Sequence, residues 1–145
     1  MDAPQPREGR EGPEHPHLRE QSALPGKGGL VRIGRAFWNT LGGFREGLAT
    51  EAAIKQEAAL LVLALPVSVF VAESVWTWAV LMGSLLLLLA AEFLNTAIER
   101  LCNHVHPERH EAIKVTKDLA SAGVFCVIVL AAMVWLVAVI DRLFV

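Results

Sequence analysis

Residues 119–140 read LASAGVFCVIVLAAMVWLVAVI, a run of 22 residues without one charged side chain. An α-helix needs about 20 apolar residues to cross the hydrocarbon core of a bilayer, so this run predicts a membrane span. Residues 75–91 (VWTWAVLMGSLLLLLAA) also carry no charge, whereas the run at 58–72 is shorter and contains Pro66. The short run becomes long enough when it is extended back through EAAIKQE at 51–57, with Lys55 and Glu57 reaching the headgroups.

These runs predict an all-α membrane protein with three transmembrane helices, at about 52–72, 75–98 and 118–140. The composition agrees, because the 145 residues are 54% hydrophobic and only 19% charged, with a mean hydropathy of +0.45. These values exclude an ordinary soluble domain. So short a chain builds a thin core, which favours an oligomer.

The net charge argues against a nucleic-acid-binding protein, and the cysteine spacing argues against a disulfide or a CxxC site. A net charge of −2 and a pI near 6.2 provide no basic field, so we expect no nucleic-acid partner. Cys102 and Cys126 are 24 positions apart, one in a polar segment and one in an apolar run, and we interpret them as free thiols.

The segments before the first span differ from it in character. Residues 1–29 are rich in proline, glycine and charge, and we predict a disordered cytosolic tail. From residue 30 to 48, apolar residues recur at intervals of three and four, which indicates an amphipathic helix on the membrane surface. Residues 30–145 then form one membrane domain.

Basic residues predict the orientation of the chain. Of the 13 lysines and arginines, eight lie in residues 1–56 and four in 99–118. Since positive charge favours the cytosolic side, both segments are expected there, and an odd number of spans leaves the C-terminus outside.

The second span ends in LLLLLAAEFLNTAIER at 85–100, which places polar side chains at the membrane boundary. Glu92, Asn95 and Glu99 lie within about 60° of one another on one helix face. Carboxylates at this depth are costly and are candidates for function. A proton path, a cation site and a general base beside a metal are all compatible with them.

Polar residues at the starts of the other spans narrow this choice. Glu51 and Glu57 precede the first span and Lys117-Asp118 precede the third, so all should meet at one membrane level. Carboxylates from different helices suit Mg²⁺, which takes one or two carboxylates together with phosphate oxygens. Lys117, Arg32 and Arg35 could then hold phosphates.

Two other patterns are set aside. His104, His106 and His110 form H-x-H-x₃-H, but we interpret them as solvated rather than as a zinc site. The GKGG stretch at 26–29 is no P-loop, because no GxxxxGK[ST] sequence follows a strand.

The run 92–99 (EFLNTAIE) is followed, eighteen residues after Glu99, by KDLASA at 117–122. This pair of motifs resembles the signature of the prokaryotic diacylglycerol kinases, which are small integral-membrane enzymes, and EAAIKQE resembles their entry to the first span. The match extends from about Arg32 to near residue 140. The resemblance implies a homotrimer of three-helix subunits with a surface helix, which uses ATP to phosphorylate diacylglycerol to phosphatidic acid at the cytosolic face of the bacterial inner membrane.

The resemblance also implies roles for individual residues. Glu92 would be the general base at the lipid hydroxyl, and Glu51 with Glu99 would hold the Mg²⁺ of ATP. The ATP site would comprise Arg32, Asn39, Glu51, Asn95, Glu99, Glu108, Arg109, His110, Lys117 and Asp118. The lipid would lie near Arg32, Ala36, Thr40, Glu57, Glu92 and Ser121.

The chain departs from the family pattern in places, and other functions remain open. Members often have Asp four residues after Glu99, where this chain has Asn103, and many have Phe-Arg at Ile54-Lys55. Similar proteins phosphorylate undecaprenol with the same polar groups. Two other classes are a small proton or cation transporter and a helical assembly factor without catalysis.

Overall fold

The computed structural model describes residues 29–105 and 110–144. These residues form four helices: α1 (Gly29–Thr50), α2 (Ala52–Val71), α3 (Val75–Val105) and α4 (Glu111–Phe144). No strand occurs in the two described ranges. Helices α2, α3 and α4 are each long and apolar enough to cross a membrane, so the predicted all-α class with three spans and a preceding helix is confirmed.

Two of the helices are longer than the apolar runs inside them. Helix α3 continues beyond residue 98 to Val105, and α4 begins at Glu111, before the predicted span start at 118. Charged residues end an apolar run without ending a helix, because Glu, Arg and Lys are good helix formers. The predicted tail lies outside the described residues, except Gly29, the first residue of α1.

Side chains cap the two long helices. Ser74 Oγ accepts a hydrogen bond from the Thr77 N–H at 3.0 Å and so satisfies a free donor in the first turn of α3. His110 Nδ1 accepts one from the Ala112 N–H at 3.2 Å at the start of α4. Between α1 and α2, Glu51 is extended (φ −102°, ψ 124°), although its N–H still reaches Gly47 O at 2.9 Å.

The chain divides into two compact units, one ending at Thr40 and the other beginning at Leu41. In the first unit, the described part of α1 exposes its side chains, and the rings of Phe37 and Trp38 meet edge to face with centroids 6.2 Å apart. In the second unit, α3 packs against both α2 and α4.

The interior of the second unit is small. Ile54, Ser68 and Leu81 are fully enclosed, and Ala64, Leu85 and Ala131 form a cluster covered by Leu61 and Trp135. Trp135 Nε1 donates to the Leu81 carbonyl at 3.2 Å, which ties α4 to α3. Large side chains elsewhere are open, including Trp76 (82% exposed) and Phe70 (77% exposed). Such a surface suits lipid chains or neighbouring subunits rather than water.

The last turns of α1 pack closely against α3. Phe44 and Phe93 meet edge to face with ring centroids 5.2 Å apart. A Cβ at Gly47 would lie 2.5 Å from Phe93 Cε1 and 2.9 Å from Ile54 Cδ1, closer than carbon atoms can approach. Gly47 therefore permits the contact that holds the α1–α2 junction beside Glu92.

Candidate active site

Carboxylates gather where α2 begins and where α3 leaves its apolar stretch. Glu92 of α3 and Glu57 of α2 are half-buried, and their charges interact. Glu92 also interacts electrostatically with Glu99 on its own helix and with Glu51 at the α1–α2 junction. The second unit therefore brings together the carboxylates that were expected to meet at one membrane level.

Two acceptor atoms in this group are buried without a hydrogen-bond partner among the described residues, Glu57 Oε2 and Asn95 Oδ1. The amide nitrogen of Asn95 is engaged, since Nδ2 donates to Glu99 Oε1 at 3.3 Å. Buried polar atoms are normally paired in folded proteins. Unpaired acceptors beside Glu92 are therefore places where a ligand that carries donors would be bound.

Arg100 forms the most extensive set of polar contacts in this region. Its Nε and Nη2 donate to Glu51 Oε1 at 3.2 and 2.7 Å, and Nη1 donates to Glu46 Oε1 at 3.1 Å. Nη2 also contacts Thr50 Oγ1, which in turn lies 3.3 Å from Glu51 Oε1. Arg100 thus joins α3 to the end of α1 and to the junction residue Glu51.

The guanidinium of Arg100 controls the charge of Glu51. Its hydrogen bond holds the pKa of the Glu51 carboxyl below the ordinary value of 4.5, and its positive charge acts in the same direction. Partial desolvation opposes this shift but does not cancel it. Glu51 is therefore an anion at neutral pH.

Helix α4 contributes a lysine to the same end of the bundle. Lys117 Nζ donates to Asn103 Oδ1, at the end of α3, at 2.6 Å. Asp118 points to Lys114, with Oδ2 and Nζ 2.6 Å apart. Ser121, one turn further along α4, is exposed.

Other predicted site residues fall in the first unit, just before α4, or outside the described residues. Arg32, Ala36, Asn39 and Thr40 are exposed on α1, and the Thr40 hydroxyl donates to the Ala36 carbonyl at 2.9 Å. His110 uses Nδ1 as the α4 cap. The remaining two predicted ATP contacts, Glu108 and Arg109, lie in the segment 106–109, as does His106, and that segment is not described.

Reasoning from the sequence missed three residues, Arg100, Glu46 and Thr50. It counted Arg100 only as a basic residue that favours the cytosolic side. The sequence did contain a signal for Arg100. It directly follows Glu99, so it places a positive charge next to the helix face that carries Glu92 and Glu99. Its partners are 49 to 54 positions away, and periodicity within one helix does not indicate them.

Comparison with known proteins adds an independent observation. The family model for prokaryotic diacylglycerol kinase matches residues 39–139. A diacylglycerol kinase of Pseudomonas aeruginosa is 35% identical over 114 residues, which cover 79% of this chain and 93% of that protein. Diacylglycerol kinases of Escherichia coli K12 and Haemophilus influenzae are 32% and 30% identical over 107 residues, which cover 88% and 91% of their own lengths.

Proposed function

Since the chain belongs to the prokaryotic diacylglycerol kinase family, and so is a membrane-bound lipid kinase, we propose that it phosphorylates diacylglycerol with ATP. The relatives named above are diacylglycerol kinases, which supports this acceptor. The observation that carries the proposal is the position of Glu92. Glu92 is a half-buried carboxylate at the end of the apolar stretch of α3, and three further carboxylates, Glu51, Glu57 and Glu99, lie near it.

In this reaction Glu92 is the general base. The lipid hydroxyl oxygen forms a bond to the γ-phosphorus, the bond from that phosphorus to the bridging oxygen of ADP breaks, and the hydroxyl proton passes to Glu92. Phosphoryl transfer depends on positioning and on neutralising charge, with one base for the proton. Water-soluble ATP and a membrane-bound alcohol can meet only at the interface, and the apolar stretch that ends just before Glu92 supports placing this residue there.

The carboxylates proposed to hold Mg²⁺ are donors of the kind that this ion takes. Glu51 and Glu99 are carboxylates from the junction and from α3, and Mg²⁺ in nucleotide sites takes one or two carboxylates with phosphate oxygens and water. The described residues contain no cluster of three or more such ligands, so the phosphates would complete the coordination. When bound, the ion would neutralise negative charge on the transferring phosphates.

The remaining proposed contacts divide between nucleotide and lipid. Lys117, Asp118 and Asn95 support the nucleotide, together with Arg32 and Asn39 of α1. Its other proposed contacts are residues that precede α4 in the sequence: Glu108, Arg109 and His110. The proposed lipid contacts are Arg32, Ala36, Thr40, Glu57, Glu92 and Ser121. The unpaired buried oxygen of Glu57 supports its place among them, since a lipid hydroxyl is a donor.

We further propose a homotrimer in the bacterial inner membrane with its polar site at the cytosolic face. The distribution of basic residues supports this orientation. Gly83 and Gly123 are exposed on the long helices, and a Cβ at either would meet nothing within 4 Å among the described residues. Small open positions of this kind allow close approach of a helix from another copy.

The decisive experiment measures transfer of labelled phosphate from Mg-ATP to lipid by purified protein in mixed micelles. Diacylglycerol and undecaprenol are tested separately. Glu92→Gln should lower the rate at least about 100-fold, the size expected for loss of a general base. Glu73→Gln is the matched control, because Glu73 lies beyond the other end of α2, and it should keep the wild-type rate.

Each outcome of this assay has a distinct meaning. Transfer to diacylglycerol that is lost in Glu92→Gln and kept in Glu73→Gln supports both the acceptor and the base. Transfer to undecaprenol alone would overturn the acceptor. Equal rates in Glu92→Gln and the wild type would overturn the base, and no transfer to either lipid would overturn the proposed reaction.

A further inference from the structure

Arg100 has no part in the reaction proposed above, yet it touches a carboxylate that has one. All the hydrogen bonds that the described residues make to the Glu51 carboxylate fall on a single oxygen, Oε1. The donors are Nε and Nη2 of Arg100. The Thr50 hydroxyl, which donates to the Glu46 carbonyl at 2.9 Å, also lies 3.3 Å from Oε1. The second oxygen of Glu51, Oε2, is left for another partner.

The contacts of Arg100 also fix where Glu51 stands. Glu51 lies between two helices in an extended conformation, and its own side chain does not cap α2. Without a partner its carboxylate could take several rotamers. Because Arg100 also donates to Glu46, the guanidinium is held from two sides and cannot follow Glu51 freely.

We propose that Arg100 is a positioning residue that fixes the Glu51 carboxylate and presents Oε2 to the cation bound with the nucleotide. This inference rests on the proposed function, in which Glu51 is one of two carboxylates for Mg²⁺. Arg100 is not a catalytic residue, because Nε, Nη1 and Nη2 all donate to protein groups. Its effect on the reaction is transmitted through Glu51.

Charge balance separates this role from a purely electrostatic one. A guanidinium beside a cation site repels the cation, so if charge alone mattered, removal of Arg100 would tighten binding. Positioning predicts the reverse, because a loose Glu51 must be ordered when the cation binds. Weaker binding of Mg²⁺ on removal of Arg100 therefore indicates positioning of Glu51, and tighter binding indicates a purely electrostatic effect.

The test is the free Mg²⁺ concentration at half-saturation of the cation site, measured on detergent-solubilised protein with a saturating non-hydrolysable ATP analogue and without lipid. Arg100→Gln should weaken Mg²⁺ binding about tenfold, since it removes both hydrogen bonds from the guanidinium to Glu51 Oε1. Arg100→Lys keeps one donor for Oε1 and should weaken binding only about threefold. In turnover with diacylglycerol, the KM for Mg-ATP should rise with little change in kcat.

Two further variants keep the inference open to refutation. Thr50→Val removes the hydroxyl that accepts from Arg100 Nη2, with little change in shape, and should weaken binding about twofold to threefold. Arg142→Gln is the matched control, since it makes the same substitution at an arginine that contacts Phe70 O and Glu73 at the other end of the bundle, and it should keep the wild-type affinity. The thermal midpoint of each unliganded variant shows whether it is folded.

Unchanged or tighter binding by folded Arg100→Gln would overturn the inference, as would a loss of kcat at constant affinity. If Arg100→Gln does not fold, wild-type affinity in both Arg100→Lys and Thr50→Val would overturn it instead. Failure of the proposed function looks different, because wild-type protein would then transfer no phosphate to lipid.

Discussion

Lys117 Nζ lies 2.6 Å from Asn103 Oδ1 and donates to it, which joins the second turn of α4 to the last turn of α3. An amide oxygen has no net charge, so this contact orients the ammonium group and leaves its positive charge for a ligand. A phosphate is the anion that the proposed function brings to this place.

Lys117→Leu should therefore abolish most phosphate transfer. Loss of a charged contact to the transferring phosphates commonly lowers rates by at least about 100-fold, and leucine keeps the helix intact. The measurement is kcat/KM for Mg-ATP in mixed micelles. Arg142→Leu is the control, because it removes a cation at the other end of α4, where Arg142 contacts Phe70 O and Glu73, so at least half of the wild-type activity should remain. Substantial activity in Lys117→Leu would exclude this role for the lysine.

Gly47 and Gly43 should respond to alanine in opposite directions. At Gly47 the new methyl group would collide with Phe93 and with the fully buried Ile54, and such overpacking costs about 1–3 kcal/mol. At Gly43 a Cβ meets nothing within 4 Å among the described residues, so alanine should stabilise the helix by about 0.5–1 kcal/mol. Thermal unfolding in detergent, without ligand, measures both. A Gly47→Ala protein as stable as Gly43→Ala would contradict the close packing of α1 against α3.

The pair formed by Arg100 and Glu51 predicts a pH dependence of stability. Because the folded pKa of Glu51 lies below 4.5, its contribution is fully present above that pH and is lost as the pH falls through the lowered pKa. The thermal midpoint of Glu51→Gln should lie a few degrees below the wild type at neutral pH, and the gap should close in acid. Arg100→Gln should show the same profile. A gap that persists unchanged in strong acid would mean that the ion pair does not cause it.

Features that depend on residues close together in the chain could be predicted from the sequence, whereas contacts between distant residues could not. The spans follow from apolar runs, and the shared face of Glu92 and Glu99 follows from the pitch of one helix, so both could be predicted. The contacts of Arg100 with Glu46 and Thr50 join residues 54 and 50 positions apart, and nothing local encodes them.

The full lengths of α3 and α4 could not be predicted for a different reason. Segments 99–105 and 111–117 are polar and charged, which ends a membrane span, but their residues favour helix, so α3 and α4 continue through them. Likewise, Gly47 in a helical segment gives no sign that Phe93 and Ile54 pack against it. The need for glycine at position 47 is visible only in the folded structure, where Phe93 and Ile54 lie against it.

The orientation of the chain can be tested by thiol labelling in intact cells. In a background without cysteine (Cys102→Ser, Cys126→Ser), Glu73→Cys lies between α2 and α3 and should react with a membrane-impermeant maleimide from outside. Glu111→Cys, at the exposed start of α4, should react only after the membrane is permeabilised, because positive-inside placement puts residues 99–118 in the cytosol. The two variants are matched, since each replaces one exposed glutamate next to a helix end. Reaction of Glu111→Cys in intact cells with protection of Glu73→Cys would reverse the orientation and would separate the proposed site from cytosolic ATP.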